Sequence, residues 1–522
     1  EDTENNTHEV VDGQQRLTTL STIASVFLDA LSDLDEPLPA INGLRHRLQA
    51  MLGTYDSGWD SNLSFAEPEL KIFFLESCLI KRTKSEKLAY WEEPWCQIRL
   101  NRKKSSFLKI KEAVLAGYDK LDAFLSGAAP ELKIKRLLSF ITLITEGVIL
   151  LRILAMSYSS AYSIFESLNN RGIPLSQADL IKNELLRTAN EIDRNLITDN
   201  WQNTRGLIDD VEILSLPDLI HYSYISRYEH IKARDLYSRV KEKIFSAAAA
   251  LNYSTSLLKD AESLGALTVS FNAEWKADTM SMLVDIKNVL NIRHCYPFLM
   301  AAYRTHSNES EVFAEYVKVV MNFAYRYIKI MEESIETFIS AIGEACQLIN
   351  NSQPIDDIKN LFLEYAPDSA FERSFKVASV SNTKLAFFTV YYLEKIQLVG
   401  ALPLPHGVSQ NLEHIMPKTP TAAHWPQALL AKSKDNEEFK DYLWRLGNLL
   451  PLPASINMSL KNKSITEKIA NESGKDYTSG GHSLQSPLEI STFLEDGQWS
   501  YGSIERRQEY LATKFASKAW PL

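Results

Sequence analysis

The chain has 522 residues, 45% of them hydrophobic and 23% charged, which suits about two to four domains of roughly 150 residues with several buried cores. Disorder, collagen and small disulfide scaffolds are excluded, and 19 Gly with 19 Pro is ordinary globular usage leaning towards helix. The net charge of −10, from 56 Lys+Arg against 66 Asp+Glu, argues against coating nucleic acid by bulk charge and leaves a local basic groove open.

Cys78, Cys96, Cys295 and Cys346 lie far apart with no Cys-x-x-Cys pair, so neither a disulfide framework nor a cysteine zinc site is expected, and a reducing, cytoplasmic setting is. The most apolar stretch, 137–156, is interrupted by Glu146 and Arg152 and is too polar to span a membrane uninterrupted. No signal-peptide pattern opens the chain. It begins at Glu1 rather than Met.

In chain order, His8-Glu-Val-Val11 reads as a short strand, Asp12-Gly-Gln-Gln-Arg16 as a tight turn, and Leu17 to Leu31 as an amphipathic helix. Helical spacing continues to about Arg136, with a basic stretch from Arg99 to Lys111 that fits a solvated helix face better than a phosphate track. Gly147 to Ala155 is short, apolar and β-branched, predicting a buried strand. Ser160 to Leu168 returns to helical spacing, Asn169 to Pro174 is a turn, and Ser176-Gln-Ala-Asp179 fits a capping box for a helix from about Gln177 to Thr188. From Ile192 to about Val399 the pattern is almost wholly helical, which predicts a helical bundle. Gly400 to Gly407 breaks it at a domain boundary. Beyond Asn411, short apolar runs and turn residues replace long helices, and thirteen basic residues balance thirteen acidic ones.

This last region holds a constellation suited to phosphodiester hydrolysis, which needs a base for water, a divalent metal for the developing charge, and a rigid hold on both. Glu413-His414 sets a hard oxygen ligand beside an imidazole. On an extended strand the two point to opposite faces. Asn448 could hold the imidazole or its backbone, and Asn457 could offer an amide oxygen to a metal. Spacing alone equally allows these residues to be ordinary turn and cap formers.

Glu413-His-Ile-Met-Pro417, with Trp425, Leu446-Gly-Asn-Leu-Leu450, Asn457, Lys463, Lys468 and Tyr477, resembles the HNH-like, His-Me finger nuclease domain of GmrSD-type restriction enzymes. Trp499, Ile504-Glu-Arg-Arg507 and Trp520 resemble that domain's tail. The resemblance implies a ββα-metal unit with His414 as general base, Asn448 as the orienting residue, Glu413 and Asn457 as candidate metal ligands, and Lys463 and Lys468 as candidate DNA phosphate contacts.

Upstream, Asp12-Gly-Gln-Gln-Arg16 puts a carboxylate, a flexible glycine, two amides and a guanidinium at a helix start, where free N–H groups attract anions. Phe165-Glu-Ser-Leu-Asn-Asn-Arg-Gly-Ile-Pro-Leu-Ser-Gln-Ala-Asp-Leu-Ile-Lys-Asn183 resembles the second signature of the GmrS, ParB-like nucleotide-binding module, whose first signature is that turn. In the family this module binds or hydrolyses a nucleoside triphosphate and helps to recognise modified DNA. By position, Asp12, Gly13, Gln14, Gln15, Arg16, Asn169, Arg171 and Asp179 are candidate nucleotide or DNA-backbone contacts, and Lys182 is a weaker one. There is no Gly-x-x-x-x-Gly-Lys-Ser/Thr loop, so any NTPase activity would not use P-loop mechanics. Only eleven residues precede Asp12, where the family has a longer stretch, so part of the module is expected to be missing.

The expected fold class is mainly α. It comprises an N-terminal α/β ParB-like module over 1–190, truncated at its start, a helical bundle over 191–400, and a C-terminal α+β nuclease domain over 401–522. The expected function is modification-dependent cleavage of phage or other foreign DNA, with Mg²⁺ or Mn²⁺ and a nucleoside triphosphate as cofactors. DNA is the expected partner, no membrane is, and homo-oligomerisation stays open. Two alternatives remain: a non-cleaving ParB-like DNA-binding regulator, and an RNase or tRNase toxin. The full set of Glu413, His414, Asn448 and Asn457 favours the enzyme.

Overall fold

Apolar residues at helical spacing after Gly13 form α1 (Gln14–Ser32), whose inward face buries Ala24, Leu28 and Leu31. This computed structural model describes residues 10, 13–32, 39–55, 59–63, 65, 68–101, 105–149, 176–211, 214–268, 275–398, 410–422, 424–425, 437–478 and 484–522. The chain divides into two units, Glu1–Ser215 with Lys241–Thr255, and Leu216–Val240 with Ser256–Leu522.

In the first unit, α1 is followed by α2 (Pro39–Leu52), a two-stranded antiparallel ribbon of β1 (Gly53–Tyr55) and β2 (Trp59–Ser61), and α3 (Pro68–Leu75). Next come α4 (Lys84–Trp91), α5 (Pro94–Leu100), α6 (Ser106–Leu125) and α7 (Pro130–Thr142). Proline opens α5 and α7 at the first helical position, where its missing N–H costs nothing. The core around Phe73, Phe74, Trp91 and Val114 also encloses one ion pair. Lys87 Nζ donates to Asp29 Oδ2 at 2.5 Å and to Ser25 Oγ at 3.0 Å, and Tyr118 donates to the same carboxylate at 2.6 Å. Burial raises the Asp29 carboxyl despite Lys87 beside it.

Among the described residues of this unit the ribbon is the one sheet. The strand expected from Gly147 begins differently. Gly147 closes a π-helical turn, Leu143–Gly147, and Ile149 is 93% exposed. The remainder of that strand, and the strand expected at 8–11 apart from Val10, lie outside the described residues. By contrast α8 (Gln177–Thr188) has the ends that its cap signal predicts. Ser176 Oγ accepts from Asp179 N at 3.2 Å and donates to Asp179 Oδ2 at 2.7 Å. It leads into α9 (Glu191–Val211).

The second unit is helical as far as residue 398, in accord with the periodicity. It contains α10 (Leu216–Arg227), α11 (Leu236–Lys243) and α12 (Ala247–Thr268), of which the last two continue from one unit into the other. Then follow α13 (Ala277–Asp285), α14 (Tyr296–His306), α15 (Ser310–Ala324), α16 (Ile335–Asn350), α17 (Ile355–Tyr365), α18 (Asp368–Phe375) and α19 (Thr383–Gln397). Phe323 stacks on Phe362 at 4.0 Å, and Trp520, near the chain end, stacks on Tyr325 at 4.1 Å. Buried Arg326 donates to Trp520 O at 2.6 Å and to Asp368 at 2.7 Å, which fastens that end to the bundle. Beyond the expected boundary at 400–407, itself outside the described residues, come β3 (Gln410–His414), α20 (Glu437–Trp444), β4 (Leu449–Pro453), α21 (Ala454–Leu460), α22 (Ile465–Ile469) and α23 (Tyr501–Leu511). β3 and β4 are antiparallel, and α21 starts where β4 stops. Their core gathers Ile415, Trp425, Leu452, Ile456, Trp499 and Ile504.

All four cysteines are buried and free. Among the described residues no helix is long and apolar enough to cross a membrane.

Candidate active site

The register of the two strands sets Glu413 opposite Leu450 and His414 opposite Leu449. Successive strand residues face opposite ways, and the two side chains have separate surroundings. The Glu413 carboxylate is buried and accepts from Lys468 Nζ at 2.6 Å and Tyr477 OH at 2.9 Å. Burial raises its pKa, with Lys468 opposing, and burial likewise lowers the Lys468 ammonium. The His414 ring instead meets Trp444 edge-on, at 4.7 Å and 81°. Its Nε2 is buried with no hydrogen-bond partner. Burial first, then the charges of Lys418 and Lys468, push this imidazole down to about 3, so it is neutral.

The segment after His414 is held by its backbone. Lys468 Nζ donates to His414 O at 3.0 Å and Ile415 O at 3.1 Å. Ile415 N donates to Asn448 O at 2.9 Å, Met416 N to Asn448 Oδ1 at 2.7 Å, and Asn448 Nδ2 to Met416 O at 3.2 Å. Every main-chain polar group from the His414 carbonyl to the Met416 carbonyl is thereby satisfied. Asn448 thus orients the main chain next to the histidine, one of the two roles its position suggested, and Trp499 Nε1 donates to the same Oδ1 at 3.1 Å.

Gly447 makes this arrangement possible. A Cβ there would lie 2.1 Å from Ile504 O, so only glycine lets the turn ahead of β4 approach α23 so closely. Gly447 N donates to Gln508 Oε1 at 3.2 Å, and buried Arg507 Nη1 donates to Gly447 O at 2.8 Å and Leu449 O at 2.9 Å.

The remaining candidates fall in different places. Asn457, on α21, is partly buried and donates from Nδ2 to Leu412 O at 3.1 Å, which leaves Oδ1 as the atom a metal could use. Lys463 is half-buried beside α22. Lys468 is no surface lysine: it is fully buried and its three N–H groups serve Glu413 and two carbonyls, so a phosphate cannot reach it without unfolding the pair. Glu413 is buried and takes Lys468 and Tyr477 on the same oxygen, Oε1, so a cation would meet this carboxylate with the ammonium already beside it. Among the described residues no three His, Cys, Asp or Glu side chains gather as a metal site. A divalent ion is compatible with Asn457 alone, because Mg²⁺ commonly keeps several waters and takes one or two protein oxygens plus substrate phosphate.

In the first unit Gly13 has φ +91°, a left-handed value that favours glycine, and its carbonyl accepts from Leu17 N at 2.9 Å as α1 begins. Gln14, Gln15 and Arg16 are exposed, and Gln14 Nε2 donates to Val10 O at 2.7 Å. Asp179 is bonded to Ser176 at the start of α8, and Lys182 is half-buried on that helix. Asp12, Asn169 and Arg171 lie outside the described residues.

Two residues that the sequence pattern did not single out stand at the site. Trp444 ends α20 against His414, and exposed Lys418 places Nζ 4.9 Å from the Trp444 ring centroid. A signal was present in the positions of Lys418, directly after Glu413-His-Ile-Met-Pro417, and Trp444, two residues before Leu446-Gly-Asn448.

Fold and site together define a mainly helical protein with a buried, neutral histidine at a strand end, backed by an asparagine in the turn just before the neighbouring strand. Residues 1–186 match the family model described as GmrSD restriction endonuclease, N-terminal domain, and residues 365–514 match that of GmrSD restriction endonucleases, C-terminal domain. The chain belongs to the GmrSD restriction endonuclease family. Its role is that of a restriction endonuclease, a class that acts on DNA. No curated protein matches the chain. The C-terminal match begins upstream of β3 and takes in α18 and α19. There Gln508 Nε2 donates to Phe375 O at 2.7 Å, and Val380 N to Trp444 O at 2.9 Å, so the end of α18 and the segment after it are bonded to the elements that carry the site.

Proposed function

We propose that His414 is the general base of an HNH-like, His-Me finger nuclease centre that hydrolyses modified phage or other foreign DNA in the cytoplasm, under the control of a nucleoside triphosphate bound by the N-terminal module. The observation that carries the reading is the Nε2 of His414, buried, neutral and without a partner, on a ring whose main chain is fixed on both sides. Bound phosphate would oppose the cations that hold this imidazole down, so that Nε2 can take the proton of an attacking water, and a positioned base contributes on the order of 10²–10⁴-fold in rate. Asn448 and Lys468 hold the strand end so that the imidazole needs no reorganisation at the moment of reaction. Asn457 Oδ1 would hold Mg²⁺ or Mn²⁺, which supplies charge stabilisation on the phosphate and the leaving oxygen. Of the two lysines expected to meet phosphate, Lys463 keeps that role and Lys468 does not. For the module, the support is the left-handed Gly13 at the start of α1 with exposed Gln14, Gln15 and Arg16 beside it.

The test is a cleavage panel. Unmodified duplex, differently modified phage genomes and tRNA are incubated with Mg²⁺ or Mn²⁺, with and without each nucleoside triphosphate, using the parent chain and His414→Ala. Cutting of modified DNA that needs His414 is expected. Cutting of tRNA alone would move the site to an RNase, and tight DNA binding without cutting would make the chain a regulator.

A further inference from the structure

We propose that Lys418 is the cation that grips the scissile phosphate of DNA at His414, with Trp444 as its platform. This rests on the nuclease reading above and adds to it a substrate-touching residue. Three groups adjoin at the end of β3: the imidazole of His414, the indole of Trp444 edge-on to it at 4.7 Å, and the ammonium of Lys418 at 4.9 Å from the indole centroid. Trp444 also packs on the core, but Lys418 does not serve folding in the way Lys468 does. Lys468 is sealed inside and bonded to a carboxylate and two carbonyls, whereas Lys418 is exposed, and among the described residues no ion pair engages it.

The direction of Lys418 is set by the chain. Its segment leaves the locked backbone of Ile415 and Met416 through buried Pro417, whose ring fixes φ, so the lysine starts from a defined point. Thr419, the next residue, accepts from Asn462 Nδ2 at 3.0 Å, and Trp425 Nε1 holds Asn462 O at 3.1 Å. Asn462 stands between Lys461 and Lys463, so one hydrogen bond joins the loop of Lys418 to the turn bearing two more lysines. Although the chain as a whole is acidic, this juncture brings three lysines together with one carboxylate, Glu467, and Lys418 is the lysine beside the buried histidine.

A phosphodiester fits the arrangement chemically. An exposed cation resting on an indole face is weakly held and can move to an anion without breaking a strong bond. A lysine meets phosphate as a point charge and needs no fixed fork. An aromatic ring next to it can also take a neighbouring base on its open surface. A cation here would neutralise phosphate charge on the His414 side of the strand, opposite the side where Glu413 is paired with Lys468.

The experiment uses the full chain as Lys418→Met, Lys418→Arg, Trp444→Leu and His414→Ala. It reads duplex affinity across a salt series and, separately, kcat and KM for cutting. Removing one cation that neutralises a phosphate lowers the slope of log K against log salt by about 0.9. Lys418→Met is expected to lower the slope by about that amount and kcat/KM by about 10–100-fold, and Lys418→Arg to restore the slope. Trp444→Leu is expected to keep the slope and lower kcat, because the cation remains but is no longer aimed. An unchanged slope and full cutting in Lys418→Met, with cutting abolished in His414→Ala, overturns the assignment of Lys418 and leaves the nuclease reading standing. Cutting unchanged in His414→Ala overturns that reading instead, and the salt slope of Lys418→Met then still decides whether Lys418 touches DNA.

Discussion

Replacing Lys468 by Met keeps most of the side-chain volume and removes the ammonium. Glu413 then retains Tyr477 OH and the His414 main-chain N–H as donors, inside a site where its side chain is 5% exposed, and the carbonyls of His414 and Ile415 lose theirs. Breaking one side of a buried pair costs about 3–5 kcal/mol, because an uncompensated charge stays behind. Against a typical total of about 5–15 kcal/mol this is large. The loss should depend on pH, and its sign follows from Glu413. Without Lys468 the folded-state pKa of that carboxyl rises further above its unfolded value near ~4.3. The folded form then binds more protons than the unfolded form in that window, so stability falls as pH rises. Urea unfolding followed by tryptophan fluorescence at pH 5 and pH 8 should show the greater loss at pH 8. Adding Glu413→Gln should recover part of it, with a coupling of about 1–3 kcal/mol. A loss under about 1 kcal/mol at both pH values, together with loss of Mg²⁺ binding in Glu413→Gln alone, would refute the reasoning and return Glu413 to the metal.

His414→Ala should cut about 10²–10⁴-fold more slowly with DNA affinity kept, as measured by single-turnover cleavage and by binding. The parent's folded-state imidazole sits at about 3, below the unfolded value near ~6.5. Its share of stability is therefore present above pH ~6.5 and is lost as pH falls, by about 1.4 kcal/mol per unit; unfolding at pH 5 and pH 7 should show this dependence in the parent and its absence in His414→Ala. Gly447→Ala should cost about 1–3 kcal/mol and slow cutting, because its Cβ would push Ile504 O from 2.1 Å and drag Asn448 with it; thermal unfolding and cleavage rate check this. Arg16→Ala should weaken nucleoside triphosphate binding about tenfold or more in calorimetry, and unchanged affinity would leave Asp12 to Arg16 as an ordinary helix start.

What was legible in the sequence was local. The start of α8 follows from one hydroxyl and one carboxylate three residues apart, with Ser176 Oγ accepting from Asp179 N and donating to its carboxylate. Long helices such as α15 and α19 follow from apolar spacing alone. Gly147 shows the opposite case. Its β-branched, apolar successors read as a buried strand, yet Gly147 ends a π-helical turn and Ile149 is almost fully exposed. Burial of a short apolar run depends on partners from elsewhere in the chain, and periodicity over so few residues does not reveal them.

The same division runs through the site. Neighbouring positions on a strand put Glu413 and His414 on opposite faces, and that much follows from strand geometry. Which of two lysines faces water does not. Lys468 has the spacing of a helix-surface residue and is buried because the last turn of α22 brings it to Glu413 and to the carbonyls of His414 and Ile415, while Lys418, unremarked after a proline, is the exposed one beside His414. The role of Asn448 depends on distance in the same way. Its amide reads the backbone of Met416, 32 residues upstream, only because Arg507 and Gln508 of α23 pull the Gly447 turn into place. The histidine's orientation is therefore a property of three segments, 413–418, 444–449 and 504–508, none of which builds it alone. A change as far along the chain as Arg507 acts on the same chemistry as one at Asn448, by freeing the carbonyls of Gly447 and Leu449 that keep β4, and with it the strand end of His414, in register.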